Sequence, residues 1–131
     1  MDARLEAQVW RRALNRCEYC GFPAEFTRLP FQIDHIIAEK HRGRTALQNL
    51  ALSCFFCITF KGPNIAGVDP KTQKITRLFH PRNDAWRVHF RRNGAFLEGL
   101  TAVGRTTVEV LRINREDALA VRQSLLEEGV L

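Results

Sequence analysis

Four cysteines are all the chain has, and they fall into two copies of one spacing, Cys17-Glu18-Tyr19-Cys20 and Cys54-Phe55-Phe56-Cys57. Two residues between cysteines put both sulfurs on one side of a tight turn or helix start, as two corners of a zinc tetrahedron. The second pair completes it. Two disulfides, or four separate thiols packed as small hydrophobes, would use the same residues. No signal peptide precedes the first pair, which argues for a reducing compartment and for metal. Between the pairs lies Ile33-Asp34-His35-Ile36-Ile37, an acid and an imidazole in an apolar run. A carboxylate holds a divalent cation, and an imidazole that titrates near neutral pH takes a proton from water. Neighbours in a regular strand point to opposite faces, so burying both costs free energy unless each has a partner, and a metal is one such partner. A salt-bridged aspartate beside a satisfied histidine is the plainer alternative for that dipeptide taken alone.

The surrounding pattern supplies the elements that would hold these groups. Leu5, Val9, Trp10, Ala13 and Leu14 recur at helical spacing over residues 3 to 15, with arginines on the other side, and predict an amphipathic N-terminal helix in which Trp10 is a core residue. Residues 31 to 37 are rich in β-formers and predict a strand; 39 to 45 predict an exposed loop; 46 to 53 return through Leu47, Leu50 and Leu52 to the second cysteine pair. A short helix is predicted from Cys54 to Phe60, stopped by Gly62-Pro63. Residues 63 to 74 read as a turn-rich connection, followed by strands at 75 to 79 and 86 to 91. Asn93-Gly94 then marks a hairpin. Trp86 and Phe90 would share a face of the second strand and pack in the core. Two helices close the chain, over 101 to 113 and 115 to 128, the second with Asn114 as N-cap. The expected fold class is α+β. The expected organisation is a zinc-stapled unit with its following hairpin over 1–100, and a helical extension of the same domain over 101–131.

Lysine and arginine number 20 against 14 acids in 131 residues, a formal charge of +6 that suits a polyanionic partner. No apolar run approaches the ~20 residues a membrane span needs, so the expected location is cytoplasmic, with no membrane partner. Arg42, Arg44 and Lys61, with His41 in the same loop, and further on Arg82, Arg87, Arg91 and Arg92, form the basic set; phosphate contacts from such residues bind without reading sequence.

Taken in order, the first Cys-x-x-Cys, Ile-Asp-His-Ile at 33–36, Asn49-Leu50, the second Cys-x-x-Cys and Lys61-Gly62 resemble the HNH endonuclease family, over residues 17 to 62. Gly62-Pro63-Asn64, Asp69-Pro70, Phe79-His80-Pro81-Arg82 and 86–90 look like a subgroup of small stand-alone bacterial members. The resemblance implies a ββα-metal fold stapled by a structural zinc on the four cysteines. It implies DNA as partner, His35 as general base toward a phosphodiester, and Asp34 as ligand of a catalytic divalent metal, magnesium first, manganese or nickel otherwise. Asn49 would orient the His35 ring or fix the loop.

One position departs from that pattern. Directly after the last cysteine the family carries Asn or His as a second metal ligand, and this chain has Ile58, which coordinates nothing. Magnesium tolerates sparse protein ligation, so Asp34 alone would suffice at lower affinity, or His80 would stand in. The sequence therefore predicts a metal-dependent DNA endonuclease weakened at Ile58. The alternative is a zinc-dependent DNA-binding module that kept the fold and lost the chemistry. A zinc-stabilised protein-interaction adaptor is the third reading.

Overall fold

The computed structural model describes all residues from Met1 to Leu131. Helix α1 (Ala3–Arg12) starts at Asp2, whose carboxylate accepts the Arg4 amide at 2.7 Å; Glu6 in its first turn and Arg11 and Arg12 in its last complement the helix dipole. It buries Val9 against Leu50 and Leu52, with Leu5, Trp10 and Ala13 alongside. The expected N-terminal helix and its Trp10 packing are both present.

The centre is a strand, strand, helix unit. β1 (Gln32–His35) runs antiparallel to β2 (Leu50–Ser53), pairing Ile33 with Leu52, Asp34 with Ala51 and His35 with Leu50. The alternation of β1 turns Asp34 inward and leaves His35 half-buried. All four residues of β2 are buried. The loop joining the strands closes on itself tightly enough that a Cβ at Gly43 would lie 1.6 Å from the Ile37 carbonyl oxygen, so only glycine fits. β2 delivers the chain to Cys54, whose sulfur caps α2 (Phe55–Lys61) by accepting the Cys57 amide at 3.4 Å. The ββα unit with its two cysteine turns is the architecture the sequence implied.

Beyond it the structure differs from expectation in three places. The connection after Pro63 contains a strand, β3 (Ala66–Val68), antiparallel to β4 (Ile75–Arg77). It is legible only in three dimensions, because Gly67 is pressed against Val110 and Thr106. The predicted strand at 86–91 is instead a helical turn, α3 (Trp86–His89), that runs into β5 (Phe90–Asn93). Trp86 enforces the turn by donating from its indole Nε1 to the Tyr19 carbonyl at 2.9 Å and laying its ring on Phe90, 5.2 Å between centroids. Core packing of the two rings survives; the shared strand face does not. β5 and β6 (Phe96–Gly99) form the predicted hairpin through Gly94 at φ +60°.

Helices α4 (Ala102–Val110) and α5 (Glu116–Glu127) close the chain. The third difference is at Asn114, which does not cap α5; the N-cap position is Arg115, whose side chain makes no capping bond. The Asn114 amide is spent on Leu97, accepting from the main-chain N–H at 2.9 Å and donating to the carbonyl at 2.7 Å. Leu111 and Ile113 sit in the same buried cluster as Tyr19, Phe79, Phe90 and the four cysteines. No helix is long and apolar enough to cross a membrane.

Candidate active site

The four cysteine sulfurs converge. Their Sγ atoms all lie within 4.8 Å of one another, every one buried and none in a disulfide. The sulfurs of Cys20 and Cys54 are 3.8 Å apart. That is the edge of a tetrahedron with about 2.3 Å from centre to corner, the zinc–thiolate distance. Main-chain amides point at the sulfurs, Cys20 N–H to Cys17 at 3.5 Å and Cys57 N–H to Cys54 at 3.4 Å, and stabilise thiolate charge. The donor set and its geometry fit one structural zinc ion.

A shallow depression lies between β1 and α2, bordered by Asp34, His35, Glu39, Ile58 and Gly62. His35 presents its ring there with Nε2 2.9 Å from the Thr45 hydroxyl and 3.8 Å from a Glu39 carboxylate oxygen. When Nε2 carries the proton toward these oxygens, Nδ1 keeps its lone pair and is the ring's basic atom.

Asp34, on the same border, is buried. One of its oxygens, Oδ2, accepts from the Tyr19 hydroxyl at 2.6 Å and from the Lys61 ammonium at 2.9 Å. Burial raises the Asp34 carboxyl above its ordinary range, against the pull of Lys61 and Tyr19. Burial and the Asp34 charge together push the Tyr19 hydroxyl well above its usual value, so it remains a donor. The Lys61 ammonium also donates to the Ile36 carbonyl at 3.1 Å and the His35 carbonyl at 3.3 Å, tying α2 to the end of β1.

Asn49 does not touch the His35 ring. It holds the loop, accepting from Ile37 N–H at 2.9 Å and donating to the carbonyls of Ile37 and Arg44 at 3.0 and 2.9 Å.

Residues 17–62 match the HNH endonuclease family. The matched segment runs from the first cysteine to the glycine that stops α2, about a third of the 131 residues, and leaves the C-terminal half outside it. No curated protein and no solved structure matches the chain. The matched segment carries the four-cysteine cluster, the ββα unit and the Asp34-His35 pair, and the family it matches is one of endonucleases.

Several basic and ligand assignments change with the geometry. Lys61 is sealed inside, 1% exposed, and is out of reach of a phosphate. It sits four residues after the buried Cys57, on the inward face of α2, a spacing from which its burial can be read. Arg82 is ion-paired with Glu18, which also accepts the Leu52 amide at 2.8 Å; it is a clamp on the first cysteine turn. His80 does not border the depression. Its Nδ1 accepts the amides of Arg82 and Asn83, both at 3.2 Å, so the neutral ring holds its proton on Nε2 and has no free lone pair for a metal. Burial lowers its pKa, which keeps it neutral. Arg42 and Arg44 remain exposed on the loop beside His35. Tyr19 and Thr45, the partners of Asp34 and His35, carry no signal in the sequence beyond their residue types.

For a catalytic cation the fit is sparse. Ile58 offers an apolar wall, His80 is elsewhere, and Asp34 has one oxygen, Oδ1, without a hydrogen-bond donor. These residues suit at most a largely hydrated hard cation such as magnesium.

Proposed function

We propose that the protein binds DNA through the exposed loop beside His35 and hydrolyses its phosphodiester bonds weakly, as an HNH-type endonuclease with His35 as general base. The observation that carries this reading is the His35 ring, tethered at Nε2 by Thr45 and open at the depression between β1 and α2. Held in that tautomer, Nδ1 accepts a proton from a water attacking phosphorus. Asn49 holds the loop that carries Arg44 and Thr45 by donating to the Arg44 carbonyl. A divalent cation bound at Asp34 Oδ1 would supply charge stabilisation for the phosphate and leaving oxygen. Plasmid nicking in magnesium, manganese and nickel, run beside His35→Ala, tests the proposal: slow nicking that disappears in the variant supports it, and nicking that persists removes His35 from the chemistry.

A second reading has its own observation. Asp34 Oδ2 is held twice, by Lys61 and Tyr19, and Ile58 stands where a second ligand is expected, so the chain also suits a DNA-binding module without catalysis. DNA binding with no nicking in any of the three metals selects it. Binding indifferent to both DNA and salt selects the protein-adaptor reading.

A further inference from the structure

A second pocket of about 320 Å³ opens beside the first cysteine turn, among Arg12, Arg16, Glu18, Asp84, Trp86 and Arg92, and shares no lining residue with the depression at His35. Both acids in its wall are already neutralised. Glu18 is paired with Arg82, and Asp84 accepts two bonds from Arg77 and one from the His80 amide. The three arginines that line it have no acidic partner in the molecule.

Main-chain carbonyls hold them instead. Arg12 donates to Leu47 and Leu50 at 2.9 and 2.6 Å, Arg16 to Gly21 at 3.3 Å and Arg92 to Cys20 at 3.3 Å. Such bonds orient a guanidinium without cancelling its charge, and each side chain keeps further N–H groups to give. Arg92 also lies over the Trp86 ring, 5.5 Å from its centroid.

We propose that this pocket binds the phosphate group of a nucleotide, with Arg12, Arg16 and Arg92 as donors and Pro81 and Trp86 as the apolar wall beside it. Three guanidiniums lining one pocket match a terminal phosphate, with up to two charges and three free oxygens, better than an internal diester with one charge. The phosphate comes from a nucleic-acid strand end or from a free nucleotide. The proposal rests on the nucleic-acid reading only for the first source and does not depend on cleavage.

The test uses the full zinc-loaded chain with Trp10→Phe, which leaves Trp86 as its one tryptophan. Its emission is followed during titration with inorganic phosphate, with AMP, and with an oligonucleotide carrying either a 5′-phosphate or a 5′-hydroxyl. Saturable responses to phosphate and AMP are expected, about tenfold weaker in Arg16→Gln and in Arg92→Gln. Zinc content equal to wild type certifies that each variant has folded. A 5′-phosphorylated strand binding more tightly than the hydroxyl strand assigns the pocket to strand ends; equal binding of the two strands with AMP still bound assigns it to free nucleotides. No saturable response in the parent chain to any phosphate probe, or responses unchanged in both folded variants, overturns the proposal. Closed circular plasmid, which has no ends, is bound in parallel. Loss of plasmid binding with the phosphate response intact would defeat the DNA reading and leave this pocket standing.

Discussion

The Lys61 ammonium lies 2.9 Å from Asp34 Oδ2, with the two side chains only 1% and 5% exposed. A buried pair of this kind adds little to stability as a pair, yet removing one member strands the other charge at a cost on the order of 3–5 kcal/mol. Lys61→Met should therefore unfold at much lower urea than wild type, and Asp34→Asn combined with Lys61→Met should recover most of the loss. The deficit of the single variant should also depend on pH. A carboxyl whose folded pKa is raised contributes most below its unfolded value near 4 and loses that contribution as pH climbs through the folded value. Without the lysine the rise is larger, so the deficit should grow from about pH 4 upward. A double variant no more stable than the single one would show that the pair is not the unit that matters.

Asp69 behaves in the opposite sense. Its carboxylate is held by Arg105 through two bonds at 3.0 and 2.9 Å, and by Thr72 and the Lys71 amide, which attach the β3–β4 ribbon to α4. The Arg105 bonds, ahead of the opposing effect of burial, hold its pKa far below the usual carboxylate range. The contribution of this group is present above the unfolded value near 4 and is lost as pH falls from there toward the folded pKa. Asp69→Asn should be less stable than wild type at pH 7, and the gap should narrow below about pH 4 in parallel thermal melts. A gap that is constant with pH would mean the loss is packing, not charge.

These two acids also mark what the sequence made legible. The cysteine turns, the ββα unit and the Asp34-His35 pair follow from spacing and period, because their neighbours lie within a few residues. The partners of that pair do not. Tyr19 reaches Asp34 across fifteen positions and Thr45 reaches His35 across ten, and neither residue type announces it. Lys61 is readable as basic but sits on the buried face of α2, where charge is expected only with a partner. The strand expected at 86–91 fails for a related reason: Trp86 is held by a hydrogen bond to Tyr19, sixty-seven residues earlier, and that contact overrides local β-preference.

The four-cysteine cluster predicts about one zinc per chain by metal analysis. Because all four sulfurs belong to the main buried cluster, a strong chelator should loosen the core around them, including the β5–β6 hairpin and the segment after α4 that carries Leu111 and Ile113. Hydrogen exchange before and after chelation reads this directly. Zinc-free protein with unchanged protection would remove the cluster as a staple.

On the exposed loop, Arg42 and Arg44 are free of ion pairs and follow His35 closely in the chain. DNA affinity should fall with salt, with a slope of log K against log salt of about −0.9 per phosphate neutralised. Replacing both arginines by glutamate should weaken binding to all sequences alike and flatten the slope. Lys61, buried, should not contribute to it. Affinity that ignores salt would contradict a backbone-binding surface.

Ile58 separates a weak nuclease from a binding module. It follows Cys57 directly on α2, a turn of about 100° away from the zinc face, and lies at the border of the depression with Asp34 and His35. An apolar group there adds no ligand, and of the Asp34 carboxylate only Oδ1 is without a donor, while Oδ2 is occupied by Lys61 and Tyr19. Wild-type nicking should then be slow and need high magnesium, and Ile58→Asn or Ile58→His should increase the rate and lower the magnesium requirement, by roughly tenfold for one added ligand. The gain should vanish when His35→Ala is combined with either, since a better-held cation does not replace the base. It should persist in Arg42→Glu with Arg44→Glu once DNA is saturating, because those residues act in binding. Fast wild-type nicking at low magnesium, unchanged by Ile58→Asn, would show that the second ligand is already present. DNA binding without nicking in the wild type and in both substitutions would leave the chain a binding module, with the Asp34–Lys61 pair as the reason its carboxylate does not serve a metal.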